Sequence, residues 1–372
     1  MDFGFSQEQE LLRAEVRKFL DQNGPLETVR KLAETPEGFS RPLWQRMAEL
    51  GWVGLLLPEA HGGAGLGWVD LVVVLEETGR TLFPSPLVAS VLAASAIARA
   101  GDAAQQARWL PALASGAAIG TLALPEPADL ADPRAFAIAG TASGAGWALH
   151  GEARFVPDAQ TADRFVVAFR APEGASLAVL ERGAPGLATA PHVLLDATRR
   201  AGRLVLDGAR VERGALLGAP GGAQAAIARL FDCGALAVSA EACGAAEAAL
   251  ALTVGYAKSR IQFGQPIGRF QGVKHPLAEM LVDVESLKSL LYYAAWLLDR
   301  DAPEQALAVA RAKAFAAEAF ARIGIDCVQL HGAIGYTWDY DAQLYLKRAK
   351  WTRPAFGDAA FHLERVARLG GI

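Results

Sequence analysis

The sequence predicts an α+β protein in three segments: a helical domain over residues 1–117, a small β domain over 118–222 and a helical bundle over 223–372. Three observations predict it. Apolar residues recur at helical spacing through the first and last segments. Short β-type runs punctuated by Gly and Pro replace them in the middle. Turn signals then divide the last segment into long helical stretches.

In the first segment, Ser6 and Gln9 have capping-box spacing ahead of an apolar face of Leu11, Leu12, Val16, Phe19 and Leu20. Asn23, Gly24 and Pro25 stop that helix. A second helix is expected near residues 42–50, ending at Gly51. The loop Gly62-Gly63-Ala64-Gly65 then leads into a helix through Val72 and Glu77. A glycine loop before a helix can hold a phosphate. This one lacks the strand context and spacing of a phosphate-binding fingerprint, so a packing turn is expected. Arg108, Trp109, Leu110 and Pro111 close the segment.

In the middle segment, residues 165–169, 177–180 and 204–206 read as strands, and Asp207-Gly208 as a turn. Strands this short suit a small β-barrel or sandwich. Residues 219–222 form a linker. In the last segment, breaks at 264–268, 300–303, 332–336 and Pro354 leave four or five helices, which suggests a bundle.

Composition narrows the function. The chain has 372 residues, 52% of them apolar, enough for a large core and two or three domains. A net charge of −4, without a basic stripe, argues against a nucleic-acid binder. The N-terminus has no basic and apolar leader, and no uninterrupted apolar run reaches the ~18 residues of a membrane span. A cytoplasmic protein is therefore expected. Cys233, Cys243 and Cys327 lie inside helical patterns and are expected to be small buried residues in a reducing compartment. The six His are scattered without ligand spacing, so no metal site is expected.

The most informative stretch is 256–280, YAKSRIQFGQPIGRFQGVKHPLAEM, which joins two helical patterns. No Asp or Glu occurs over 248–278, whereas Lys258, Arg260, Arg269, Lys274 and His275 do. A helix–turn–helix whose turn carries cations, backbone donors, Phe263 and Phe270 suits a diphosphate joined to a flat ring system. The plainer alternative is that Lys258 and Arg260 complement the C-terminal end of their helix dipole.

The order Arg260-x-x-Phe263-Gly264-x-Pro266-Ile267-x-x-Phe270-Gln271-x-x-Lys274-His275 resembles the flavin-contacting hairpin of the acyl-CoA dehydrogenase family. Pro58, Glu59, Gly62, Gly63 and Gly65, followed by Glu76, Glu77, Gly79 and Arg80, resemble that family's N-terminal domain. The order of segments matches too, so the resemblance spans the chain. It implies the acyl-CoA dehydrogenase fold: an N-terminal helical domain, a middle β-barrel and a C-terminal four-helix bundle.

The resemblance also implies FAD at a subunit interface. One subunit supplies the pocket for the flavin ring, and its neighbour supplies groups for the adenosine and diphosphate end. The neighbour's half falls on Arg260, Phe263 and Gln271 and on residues 329–336, where Gln329 and Gly332 match and Ala333 replaces a second glycine. Taken alone, 329–336 also reads as a glycine C-cap between helices. The ring half departs from the family. Pro125 stands at a Thr position and has neither hydroxyl nor N–H to give the ring. Phe155 falls where an aromatic ring stacks on the flavin, and Pro157 replaces a second hydrogen-bonding Thr.

The reaction implied is α,β-dehydrogenation of an acyl-CoA thioester. A carboxylate removes the α-proton while the β-hydrogen leaves as hydride to the flavin. The two base positions used in the family fall on Phe356 and Gly234, neither a carboxylate. Glu241, two turns beyond Gly234 on the same helix face, and Asp358 are substitutes. Each has a plainer role, as an internal polar residue and as the N-cap of the last helix. Lys347, Arg348, Lys350 and Arg353 form a solvated face, or meet an acidic partner or CoA phosphates. An intact neighbour half beside a degraded ring half resembles the non-catalytic subunit of two-gene acyl-CoA dehydrogenases. It implies a second acyl-CoA dehydrogenase subunit as partner, in an α2β2 heterotetramer. The alternatives are an active homotetramer with Glu241 or another unrecognised residue as base, a flavin-free scaffold on the same fold, and a flavin oxidase.

Overall fold

The computed structural model describes residues 5–372. Six helices come first: α1 (Gln7–Asn23), α2 (Leu26–Ala33), α3 (Arg41–Glu49), α4 (Trp68–Arg80), α5 (Leu87–Ala100) and α6 (Ala103–Ala114). The strands follow: β1 (Gly120–Ala123), β2 (Ala139–Ser143), β3 (Gly146–Pro157), β4 (Arg164–Ala171), β5 (Gly174–Glu181), β6 (Leu187–Pro191), β7 (Ala201–Val211) and β8 (Leu216–Leu217). The last part holds α7 (Gln224–Ser259), a hairpin of β9 (Ile261–Gln262) and β10 (Gln265–Pro266), then α8 (Gln271–Asp299), α9 (Gln305–His331), α10 (Ala342–Thr352) and α11 (Ala359–Gly370).

The expected capping box is present at α1: Gln9 N–H donates to Ser6 Oγ at 3.2 Å, and Ser6 N–H to Gln9 Oε1 at 3.0 Å. Helix α2 lies where the sequence analysis placed only a stop, because Pro25 opens a new helix as readily as it closes one. The strands form one mixed sheet in the order β6-β7-β3-β2-β4-β5-β8, with β1 pairing β4 in parallel. Asp207-Gly208 is not a turn. It lies within β7, where the register against β3 shifts between Leu149 and His150. Gly208, at φ +72°, is the extra residue of a bulge. The three cysteines are free and buried, as expected.

The chain folds as two compact units that interleave along the sequence. One comprises residues 32–67 and 84–234 and contains the sheet with α3, α5 and α6. There Gly120 N–H donates to Ser90 Oγ at 3.2 Å, pinning β1 to α5. Gly63 is a packing glycine, since a Cβ on it would stand 2.0 Å from the carbonyl oxygen of Leu57.

The other unit comprises residues up to 31, 68–83 and 235–372. Its centre is a backbone-to-backbone crossing of α4 and α7. A Cβ on Gly79 would lie 2.1 Å from the carbonyl oxygen of Glu241, and one on Gly244 would lie 1.8 Å from that of Glu76. Around the crossing pack Met280 and Val284 of α8, Phe320 and Ile323 of α9, and Tyr345 and Ala349 of α10. Helix α7 is long and apolar enough to cross a membrane, but 78% of its most apolar stretch is buried in the protein. It is a core helix.

Candidate functional site

The α7–α8 hairpin is built by backbone conformation. Phe263 (φ +52°) and Gly264 (φ +76°) are consecutive left-handed residues, the pattern of a tight hairpin turn. Arg260 N–H donates to Tyr256 O at 2.8 Å and Ile267 N–H to Arg260 O at 2.9 Å, closing the hairpin at its base. The turn holds Phe263 90% exposed, its ring edge-on to Phe270 at 6.0 Å. Helix α8 starts after Phe270 without a side-chain cap, which leaves first-turn N–H groups available. Lys258, Arg260, Arg269, Gln271, Lys274 and His275 are exposed, and none of these side chains bonds another described residue.

Helix α9 ends beside this hairpin. Gly332 (φ +67°, ψ −145°) takes a conformation open only to glycine and donates its N–H to Gln329 O. Gln329, Gly332 and Ala333 are exposed, as are Ile334 and Tyr336. The two loops are joined by rings: His331 lies 4.4 Å from Tyr256 and 4.9 Å from Tyr340. Arg30 ties the far side, donating to Trp338 O at 2.6 Å, Tyr340 O at 2.9 Å and Asp341 at 2.8 Å. Arg260, Phe263, Gln271, Gln329, Gly332 and Ala333 thus come to one end of this unit.

Phe155 belongs to the other unit. It sits at a register break in β3 with φ +51°, is 63% exposed and stacks on His192 at 4.9 Å. The carbonyl of Pro157 accepts from the Thr121 hydroxyl at 2.5 Å. Pro125 follows β1 after one residue, Leu124.

Phe356 lies in the loop between α10 and α11 with φ +52°. Lys313, fully buried on α9, donates to the carbonyl oxygens of Thr352, Arg353 and Gly357 at 3.2, 3.1 and 2.8 Å. His362 Nε2 lies 2.7 Å from Phe356 O. Gly357 (φ +88°) admits no side chain, because a Cβ would stand 2.5 Å from the Phe361 ring. Burial pushes the Lys313 ammonium down to about 7 and the His362 imidazole down to about 3. Asp358 caps α11, accepting from Phe361 N–H at 2.9 Å. Gly234 and Glu241 are both buried on α7. Of the four cations at 347–353, Arg348 is 1% exposed and donates to Leu82 O at 3.3 Å, Arg353 pairs with Glu318 at 2.8 Å and Lys347 covers the Trp338 ring at 4.6 Å. They are used within the chain more than a solvated face implies.

Two family models match, the acyl-CoA dehydrogenase N-terminal domain over residues 6–117 and the C-terminal domain over 221–370. The chain belongs to the acyl-CoA dehydrogenase family. It is 34% identical to acyl-CoA dehydrogenase IpdE2 of Mycolicibacterium smegmatis, over 97% of this chain and 98% of that one. Among solved structures it resembles a variant of the Tcur3481–Tcur3483 steroid ACAD (32% identity, TM-score 0.90, 98% of each chain). It also resembles the ChsE4–ChsE5 complex from Mycobacterium tuberculosis (31% identity, TM-score 0.92, 100% of this chain and 99% of that one).

Acyl-CoA dehydrogenases are flavoprotein oxidoreductases, so the two halves were tested against FAD. The hairpin end fits a diphosphate: an exposed guanidinium without a partner among the described residues, two exposed amides, an uncapped helix N-terminus and a glycine whose backbone is open. The ring positions do not fit. Pro125 and Pro157 offer no N–H or hydroxyl, and the Pro157 carbonyl is already bonded. Arg30, His331, Lys313 and His362 were not among the residues expected from the sequence. Lys313 left a signal, since it falls on the apolar stripe Val309–Lys313–Ala316–Phe320 at i, i+4, i+7 and i+11. Arg30 left none.

Proposed function

We propose that this acyl-CoA dehydrogenase chain is the flavin-supporting, non-catalytic subunit of an α2β2 enzyme that carries out α,β-dehydrogenation of an acyl-CoA thioester. The observation that carries this is the base position. The loop around Phe356 is rigidly bonded, yet the side chain it presents is a phenyl ring. Asp358 is committed to capping α11. The burial of Glu241, with its backbone against Gly79, supports an internal structural role.

When bound, FAD accepts the hydride that leaves the β-carbon. This chain's own residues would hold the far end of it. Arg260 pairs its planar fork with a phosphate, and Gln271 and Gln329 donate amide N–H groups. Gly332 lets the backbone approach, and Phe263 covers the site with apolar surface. The base and the ring pocket belong to the partner subunit. Resemblance to the Tcur3481–Tcur3483 steroid ACAD supports a steroid-derived acyl group and a heteromeric assembly. The three free buried thiols support a cytoplasmic setting.

Arg260→Ala tests this in the assembled complex. Flavin affinity is expected to fall about tenfold or more, the loss of roughly 1.4 kcal/mol. Unchanged flavin content at limiting FAD overturns it.

A further inference from the structure

Tyr256, His331 and Tyr340 make a three-ring stack, with His331 in the middle at 4.4 and 4.9 Å from the tyrosine centroids. His331 is 3% exposed. Its Nδ1 lies 2.6 Å from the carbonyl oxygen of Cys327, so Nδ1 carries the proton and donates it. Nε2 is buried without a hydrogen-bond partner among the described residues. In that tautomer Nε2 is a bare lone pair, which an apolar surround tolerates. A second proton would create a buried cationic N–H with no acceptor.

Two of the rings adjoin elements proposed to hold flavin, and the third is tied to Arg30. The Tyr256 carbonyl accepts from Arg260 N–H at 2.8 Å, so Tyr256 sits one turn before the guanidinium. His331 immediately precedes Gly332. The Tyr340 carbonyl is held by Arg30 at 2.9 Å.

We propose that His331 is a positioning residue for the flavin site. Clamped as a neutral ring between Tyr256 and Tyr340, it fixes the Arg260 hairpin against the Gly332 loop. This rests on the flavin-supporting reading of the chain. The groups that face the stack are Tyr256 from α7, Cys327 from α9, and Tyr340 and Asp341 from the segment before α10, with Arg30 of α2 paired to Asp341 at 2.8 Å. Burial holds the imidazole below its usual pKa. Two tyrosine faces would attract an imidazolium by ~0.5–2 kcal/mol, less than the cost of an unsatisfied buried charge. Acid therefore opens the stack, and flavin release follows protonation of His331.

The test uses the assembled complex with its partner subunit. Flavin retained at equilibrium is read from protein-bound absorbance between pH 8 and 5, with melting temperature as a fold control. Wild type is expected to release flavin as pH falls. His331→Phe keeps a stacking ring that cannot be protonated, and should flatten that curve. His331→Ala opens the stack and should weaken flavin retention about tenfold at pH 7.5. Identical pH curves for wild type and His331→Phe, or unchanged retention in His331→Ala, overturn the proposal. Arg260→Ala separates the two claims. If it loses flavin while the His331 variants do not, the flavin-supporting reading stands and the positioning role falls. If it also keeps flavin, the flavin-supporting reading fails.

Discussion

The Lys313 ammonium lies 2.8 Å from the carbonyl oxygen of Gly357, inside the bundle and one residue beyond Phe356, the proposed base position. The same nitrogen reaches two further carbonyls, and His362 takes the carbonyl of Phe356. Buried bases thus bond four carbonyls of one loop and fix Phe356 in a left-handed conformation that a bulky residue rarely adopts. The backbone around residue 356 is held by buried hydrogen bonds, and the side chain there is a phenyl ring.

Lys313→Met leaves three carbonyls without this donor, two of them in buried contacts that cost ~1–3 kcal/mol each before relaxation. It should also change the pH dependence. Lys313 titrates near 7 in the fold and near 10.5 when unfolded, so over that window the unfolded chain binds more protons and stability rises with pH. Melting temperatures across pH 7–10 should show that rise in wild type, and a flatter curve in Lys313→Met. Parallel curves would contradict it.

Glu76 makes the opposite case. It is buried at the α4–α7 crossing, bonded to Arg13 at 2.7 Å and to the Tyr292 hydroxyl at 2.8 Å. Burial raises its pKa from 4.5 to about 7, against the pull of Arg13. Between those values the folded chain binds more protons than the unfolded, so this group's contribution falls as pH rises, by about 3 kcal/mol in all. In Glu76→Gln that loss disappears. The variant's melting temperature minus that of wild type should climb from pH 4.5 to 7, and a constant difference would refute the assignment.

Gly244→Ala tests the crossing itself. Its methyl group meets the Glu76 carbonyl at 1.8 Å, so α4 and α7 must separate. Overpacking of this kind costs about 1–3 kcal/mol, read as a lower midpoint in urea. Gly255→Ala, on the same helix with nothing within 4 Å, should not destabilise the chain.

Asp358→Asn separates capping from catalysis. Asn caps a helix as well as Asp does, so stability should stay within a few tenths of a kcal/mol. Turnover of the complex should also be unchanged. A fall of 10²-fold or more would make Asp358 a proton-transfer group.

Much of this was legible in the sequence because it is local. The Ser6–Gln9 cap, the breaks between helices and the hairpin turn at Phe263-Gly264 depend on neighbouring residues alone. Asp207-Gly208 misled for the same reason: the dipeptide asks for a left-handed glycine, which a bulge satisfies as well as a turn. The His331 stack, the Arg30 clamp and the Lys313 anchor join residues far apart in the chain. Their partners are mostly backbone carbonyls, which carry no sequence signature. The resemblance implied that a base position falls on Phe356. Only the structure shows the Lys313 and His362 bonds that hold the backbone around it.

The most direct measurement is the native mass and flavin absorbance per chain of this protein purified alone and with the acyl-CoA dehydrogenase encoded nearest to it. The expected result is a lone chain without flavin, and a yellow heterotetramer with one FAD per two chains when the two are combined. A yellow homotetramer of this chain with one FAD per chain would contradict it, and would direct the search for a base to Glu241.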